Sequence, residues 1–340
     1  MAESYFALSL DDQADLLRAL ASRMGRRAEI LEKDLWLCQV LGILFRLPCR
    51  KSMAFKGGTS LSKVYKVIER FSEDIDVTID YRSLIADAPD LESITTNSQR
   101  RKLSDTLQAA LAAHVRDDLL PALQSALASS LPGHPLSFQL SEDAEKLWVF
   151  YPSAVEKADA YVRPSILIEF GGRNSTWPRA PQTIVPDIAK YVPGLDLPRA
   201  QVVVLSAVRT FWEKATLIHV ECHRPQPRAG AERLSRHWYD LACLADHEIG
   251  RQAVEDMGLL RDVVRLKATF YRSSHSHYER CTAGGLRLVP PEPLLGALRR
   301  DYQAMRDAQM FYGESWAFEA IIERLQALED EINRRVSASL

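Results

Sequence analysis

Between Asp74 and Asp80 the chain reads Asp-Ile-Asp-Val-Thr-Ile-Asp, with acids alternating against apolar and β-branched residues. Alternation with a period of two predicts a strand with one face in a core. It sets Asp74 and Asp76 on the same face and turns Ile75 and Val77 inward. Two neighbouring carboxylates repel, and desolvating them is costly unless a cation lies between them. A hard divalent ion with oxygen ligands suits such a pair, and one carboxylate pair can serve two magnesium ions. The plainer alternative is an edge strand whose acidic face is only solvated.

What precedes the acids favours the first reading. A short strand over Met53 to Phe55 runs into Lys56-Gly57-Gly58-Thr59-Ser60-Leu61, and the glycines are read as a break before a helix over Leu61 to Ile68. Glycines let backbone N–H groups come close to a phosphate, and a helix N-terminus favours an anion there. Gly57, Gly58 and Ser60 are thus expected to cradle phosphates, with Thr59 adding a hydroxyl. Lys56 and Arg70 are secondary candidates for phosphate contact. A third acid, Glu169, sits in Ile166-Leu167-Ile168-Glu169-Phe170, an otherwise apolar strand. It either faces the same cleft as Asp74 and Asp76 or pairs with Arg173.

Other phosphate and metal motifs fail. No second glycine precedes Lys63, so the segment is not a Walker loop, and there is no G-x-G-x-x-G. His219 and His223 have metal-like spacing, but Glu221 stands two residues after His219 instead of one, which disfavours a zinc protease site. These histidines are expected on a partly exposed helix face. The five cysteines are scattered without a C-x-x-C pair, which predicts a reduced, cytoplasmic protein.

The remaining pattern predicts an α/β organisation. Helices are expected over Leu10 to Met24, with Ser9 as N-cap, over Ile30 to Phe45, and over Asn97 to Ala128. Strands are expected over Leu147 to Tyr151, over Ser165 to Phe170 with Gly171-Gly172 ending it, and over Val202 to Leu205. Proline-rich 177–197 reads as irregular, and nearly everything from Ser206 onward as helical. The longest apolar run, Val40 to Phe45, is far too short to span a membrane. The net charge of −2 advertises no global attraction to nucleic acid. From Arg199 to Arg236, however, seven Lys/Arg face three acids, either a basic face for a nucleic acid or an ordinary solvated helix.

Taken together, the segments FKGGTSLSK, RFSEDID, ILIEFGGR, RTFWEKATLIH and RHWYDLACL resemble the nucleotidyltransferase AbiEii/AbiGii toxin family, which includes MenT-type toxins. EKDLWLCQVL and LRRDYQAM fit the same family, and the motifs occur in order over roughly residues 28 to 334. The resemblance implies a fold of the α/β (α+β) class: a DNA-polymerase-beta-like nucleotidyltransferase core with a mixed sheet, followed by a helical domain. On that basis residues 1–50 are expected to be N-terminal helices packed on the core. Residues 51–205 form the core, and 206–340 form a helical domain that contributes active-site residues.

The resemblance also implies roles. Ser72 and Asp74 match the first active-site motif, with Asp76 as its second acid; Lys214 matches a catalytic lysine and Asp240 a late aspartate. Glu169 is placed by analogy with a third metal-binding carboxylate. The implied chemistry is transfer of NMP from an NTP, with Mg²⁺ or Mn²⁺, to an acceptor such as a tRNA 3′ end. Asp240 is expected either to orient Lys214 or to join the acceptor site, and the Arg199 to Arg236 stretch to bind the acceptor backbone. The implied partners are an NTP, a tRNA or other RNA, and a cognate antitoxin encoded nearby, with no membrane. Two alternatives remain: the same chemistry on a protein or small-molecule acceptor, and nucleotide binding without turnover.

Overall fold

Alternating acids and apolar residues do form a strand, and its neighbours assemble around it. In the computed structural model, which describes residues 3–155, 163–226 and 233–338, the chain opens with a two-residue strand β1 (Glu3–Ser4), then α1 (Leu10–Met24) and α2 (Ala28–Leu44). It continues through β2 (Met53–Lys56), α3 (Gly57–Lys63), β3 (Ile75–Asp80) and α4 (Tyr81–Leu84). A long helical run follows as α5 (Asn97–Ala113), a π-helical stretch His114–Leu119, and α6 (Leu120–Ser130). Next come β4 (Ser137–Leu140), β5 (Lys146–Phe150), β6 (Ser165–Asn174), β7 (Arg179–Ile184), β8 (Leu195–Asp196) and β9 (Ala200–Leu205). The rest is α7 (Ala207–Cys222), α8 (Arg236–Asp246), α9 (Glu248–Glu255), α10 (Met257–Phe270), α11 (Tyr278–Cys281), α12 (Glu292–Asp307) and α13 (Phe318–Ser337).

Two compact units result. The first takes the described residues of Met1–Val64, Ser72–Ala88 and Asp105–Val204, and the second those of Tyr65–Phe71, Pro89–Ser104 and Leu205–Leu340. The first unit is built on a seven-stranded mixed sheet of order β4-β5-β6-β3-β2-β9-β7. β3 runs parallel to β6, and β2 parallel to β9; the pairs β2–β3, β4–β5 and β5–β6 are antiparallel. Ile75, Val77 and Ile79 are buried on one face and Asp76 is half-buried on the other, while Asp74, just before the strand, is also half-buried.

α2 is buried nearly throughout, its charged Glu32 and Lys33 included, the mark of a helix enclosed by its own domain. Its Leu31 and Leu35 pack with Leu17 and Leu20 of α1, and Trp36 stacks on Tyr151 at 4.8 Å. Ser9 caps α1 by accepting from the Asp12 N–H. β6 does not end at Gly171-Gly172. It runs on to Asn174, and a Cβ on Gly172 would come within 2.6 Å of the Leu84 side chain. That glycine serves close packing on the core face and makes no turn. The proline-rich stretch also holds more order than expected, since it contributes β7 to the sheet.

The second unit is helical. Trp212, Trp238, Leu241, Leu325 and Ile332 are fully buried in it. No helix among the described residues is long and apolar enough to cross a membrane. All five cysteines are free.

Candidate active site

In the first unit, β2 delivers the chain to the double glycine. Gly57 has φ +77, in the left-handed region where only glycine is unstrained. Here α3 begins, four residues earlier than the expected Leu61, so the glycines open the helix and do not separate it from the strand. A Cβ on Gly57 would lie 2.0 Å from Oδ2 of Asp76. The Asp76 carboxylate therefore occupies the space a side chain would fill, and the glycine backbone and the acid meet face to face.

The hydroxyls near this turn are used internally. Thr59 Oγ1 donates to Ser72 Oγ at 2.9 Å, and Ser60 Oγ donates to the Gly57 carbonyl at 2.9 Å. Gly58, Thr59 and Ser60 are all buried. The expectation that Ser60 and Thr59 present their hydroxyls to a ligand is thus corrected: they brace the turn and tie it to Ser72. Lys56, Gly57, Ser72, Asp74, Asp76 and Glu169 are the half-open members of the predicted set.

Glu169 lies one strand over, as the register partner of Asp76 across the parallel β3–β6 pair. Its carboxylate receives the Lys146 ammonium at 2.9 Å. Arg173 instead pairs with Glu145 at 3.2 Å. The hydrogen bond that Lys146 donates to Glu169, reinforced by the charges of Glu169, Asp74 and Asp143, raises the Lys146 pKa despite partial burial. Lys146 was invisible from sequence because its relation to Glu169 is set by the register of β5 on β6.

The residues fit a divalent ion in part. Among the described residues no group of three or more His, Cys, Asp or Glu side chains is arranged to hold a metal. Glu169, expected as a third ligand, lies in register with Asp76 and has its carboxylate on Lys146. Asp74 and Asp76 remain as a two-carboxylate oxygen donor set, with the Gly57 cradle against Asp76. Mg²⁺ is commonly held by one or two carboxylates together with water and substrate phosphate.

Buried ion pairs brace this region from behind. On α2, Lys33 Nζ contacts Glu73 Oε2 at 2.5 Å and the Arg163 carbonyl at 3.2 Å. The next residue, Asp34, receives Lys63 Nζ at 2.5 Å, and Lys63 also reaches Asp187 at 2.9 Å. Burial raises the Asp34 pKa, with Lys63 opposing and Asp187 adding to the rise. Glu32 accepts from Ser153 Oγ at 2.5 Å and from the Ala154 N–H at 2.6 Å. Glu32-Lys33-Asp34 thus binds the residue before Asp74, the last residue of α3, and the chain at 153–154. The tripeptide was visible within EKDLWLCQVL, but its partners were not.

The second unit holds Lys214, Asp240 and Arg70. Arg70 grips Asp240 with two bonds, Nε to Oδ1 at 2.7 Å and a terminal nitrogen to Oδ2 at 2.8 Å. Lys214 Nζ reaches the same Oδ2 at 2.8 Å. Asp240 is 0% exposed and Arg70 3%. Burial alone would raise the Asp240 pKa, but Arg70 and Lys214 outweigh it and hold the carboxyl well below its usual range. Burial lowers the Lys214 pKa, opposed by Asp240 and assisted by Arg70. Two cations on one buried acid form a tight charge-assisted cluster. Asp240 does hold Lys214, one of the two roles open for it. Arg70, expected as a secondary phosphate contact, is buried, with one edge of its guanidinium on Asp240 and Nη1 donating to the Phe71 carbonyl.

Two further expectations also change. Arg209 is fully buried against Asp262 at 2.7 Å and Glu213 at 3.4 Å, and Arg224 is paired with Glu221 at 2.8 Å. With Lys214 buried as well, the Arg199 to Arg236 stretch is not a continuous basic face; Arg228 lies outside the described residues. His219 is buried, not partly exposed. Its Nδ1 accepts from the Arg287 N–H at 2.9 Å, and its Nε2 meets the His277 carbonyl at 3.1 Å, a neutral ring with both nitrogens satisfied.

A family model described as "Nucleotidyl transferase AbiEii toxin, Type IV TA system" matches residues 40–324. The chain is also similar in structure to MenT4, a nucleotidyltransferase toxin from Mycobacterium tuberculosis H37Rv. That similarity has 18% identity, covers 94% of this chain and 93% of that one, and has a TM-score of 0.48. No curated protein is found to match the sequence.

Proposed function

Because the chain belongs to the AbiEii family of nucleotidyl transferase toxins of type IV toxin–antitoxin systems, we propose that it transfers NMP from an NTP to the hydroxyl of an RNA acceptor, foremost a tRNA 3′ end. The observation that carries this reading is the Asp76 carboxylate seated against Gly57, in register with Glu169. The proposed phosphate-binding turn and metal-binding acid then meet where β2 passes into α3.

Asp74 and Asp76 are the residues that would hold Mg²⁺ or Mn²⁺. When bound, the ion lowers the pKa of an acceptor hydroxyl and neutralises charge on the departing pyrophosphate. The chain's own groups do the rest. The Gly57 backbone and Lys56 orient the β and γ phosphates, and Ser72, held by Thr59, fixes the approach to Asp74. The acceptor oxygen attacks the α-phosphorus in line, its proton passes to Glu169, and the bond to the bridging oxygen of pyrophosphate breaks. In the second unit, Asp240 fixes the Lys214 ammonium, and the role assigned to Lys214 is charge stabilisation of the triphosphate.

The test is incubation with each α-labelled NTP and bulk tRNA. Label entering the RNA with wild type, and not with Asp74→Ala, supports the reading. Label entering protein or a small product instead would favour the alternative acceptors. Tight NTP binding with no pyrophosphate released under any condition would leave a binding module.

A further inference from the structure

Four charged residues line up in register across four neighbouring strands. Lys56 on β2 partners Asp76 on β3, Asp76 partners Glu169 on β6, and Glu169 partners Lys146 on β5. Register partners share a face of the sheet, so the row reads Lys, Asp, Glu, Lys on one side. Its ends differ. At Lys56 the chain turns through Gly57 into α3, the end given to the nucleotide in the reading above, on which this inference rests. Lys146 stands at the opposite end, beyond both acids. At about 4.8 Å per strand, the two lysine backbones are roughly 14 Å apart.

That order limits what Lys146 can do. A triphosphate cradled at Gly57, with its reacting phosphorus over the acids, leaves the far side of the acids to the attacking molecule. Lys146 is 48% exposed and gives Glu169 one bond, at 2.9 Å. An ammonium has three donors, so two remain for a ligand. Two residues along β5, on the same face, Trp148 is half-buried. A cation and an aromatic plane at strand spacing suit a nucleotide chain, with charge on the phosphate and stacking on the base.

We propose that Lys146 and Trp148, on the open face of β5, form the subsite for the acceptor polynucleotide, with Lys146 on a backbone phosphodiester and Trp148 under a base. A polynucleotide acceptor then enters from the β5 side while the NTP enters from the β2 side. The acids between them meet the acceptor hydroxyl and the α-phosphate together.

The experiment measures affinity of the full-length protein for deacylated bulk tRNA across a salt series in EDTA, where no transfer competes. NTP affinity is measured separately with Mg²⁺ and no RNA. Lys146→Ala should lower the slope of log affinity against log salt by about 0.7 to 1, the share of one phosphate contact, and leave NTP affinity unchanged. Lys146→Arg should keep the slope. Trp148→Leu should weaken tRNA binding about five-fold or more with the slope intact, and Trp148→Phe should retain most of it. The Lys146 arm stands alone if Trp148→Leu fails to fold. An unchanged slope in Lys146→Ala, wild-type affinity in a folded Trp148→Leu, or loss of NTP affinity in Lys146→Ala overturns the assignment. So does wild type that does not bind tRNA. Wild type that binds as described yet transfers no label would remove the transferase reading and leave the subsite standing.

Discussion

Lys33 and Glu73 form a buried ion pair, Nζ to Oε2 at 2.5 Å, and Glu73 is the residue next to Asp74. The pair joins the second helix of the chain to the segment that presents the candidate metal-binding acids. Breaking a buried pair leaves one charge unpaired, at a cost of roughly 3–5 kcal/mol, whereas replacing both partners is often near neutral. Lys33→Met should therefore lower the melting temperature strongly, and Lys33→Met with Glu73→Leu should recover most of the loss. Transfer should stay depressed in the double variant, because the peptide before Asp74 has lost its anchor. Full activity in the double variant would reduce the pair to a stability element.

Gly57 gives a sharper probe of the cradle. A β-carbon there meets the Asp76 carboxylate at 2.0 Å and must also adopt φ +77. The left-handed conformation alone costs roughly 1–2 kcal/mol. Gly57→Ala should lose transfer as completely as Asp76→Ala while melting only moderately lower. Asp74→Ala and Asp76→Ala should fold at least as well as wild type, since each removes one of two repelling acids. EDTA should stop wild-type transfer, and Mg²⁺ or Mn²⁺ should restore it. A Gly57→Ala enzyme near wild-type rate would separate the turn from the chemistry.

Lys214 and Asp240 can be told apart by comparing stability with rate. Asp240→Ala leaves Arg70 and Lys214 buried without their shared acid, so it should cost roughly 3–5 kcal/mol. Lys214→Ala leaves the two-bond Arg70–Asp240 contact in place and should melt much closer to wild type. If the lysine stabilises charge in the reaction, its loss should lower turnover ten-fold or more. Arginine at the position restores charge but not geometry, so recovery should be partial. Wild-type kinetics in Lys214→Ala would confine the residue to packing.

Short-period patterns carried much of this into the sequence. The alternation at Asp74 to Asp80 specified the strand from Ile75 onward and the burial of its apolar residues, because the period of a strand is a local property. The double glycine marked its turn for the same reason. Register and partner choice are not local. Lys146 reaches Glu169 only because β5 pairs antiparallel with β6, and β6 lies parallel to β3. Arg70 looked available for phosphate because Asp240, its partner, is remote in sequence. The Glu32-Lys33-Asp34 run has its partners at residues 73, 63 and 153–154, all remote from it in sequence.

Acid should weaken the second unit through His219. Burial first, then the charge of His223, pushes its pKa down to about 4, below the usual 6.5. A depressed folded-state pKa means that protons bind the unfolded chain more readily. The stabilising effect is thus complete above pH 6.5 and is lost as pH falls from 6.5 toward 4. One proton contributes on the order of 1.4 kcal/mol per pH unit in that window. His219→Gln can still accept from Arg287 and donate to the His277 carbonyl without titrating. Its stability curve, followed by thermal melting at each pH, should be shallower than wild type by about one proton. Parallel curves would assign the acid sensitivity elsewhere.

Growth of a bacterial host tests the chemistry in its biological setting. The chain is a toxin by family, and a transferase that modifies an essential RNA without control should arrest its host. Inducible expression of wild type should stop growth and shift the migration of small RNA, and co-expression of a cognate antitoxin should relieve both. Asp74→Ala at equal abundance should let cells grow, because its fold survives while the pair of acids does not. Lys146→Ala should fall between the two, since it weakens the acceptor and spares the nucleotide. Arrest by Asp74→Ala as strong as by wild type would show that toxicity runs through some property of the folded chain other than these carboxylates.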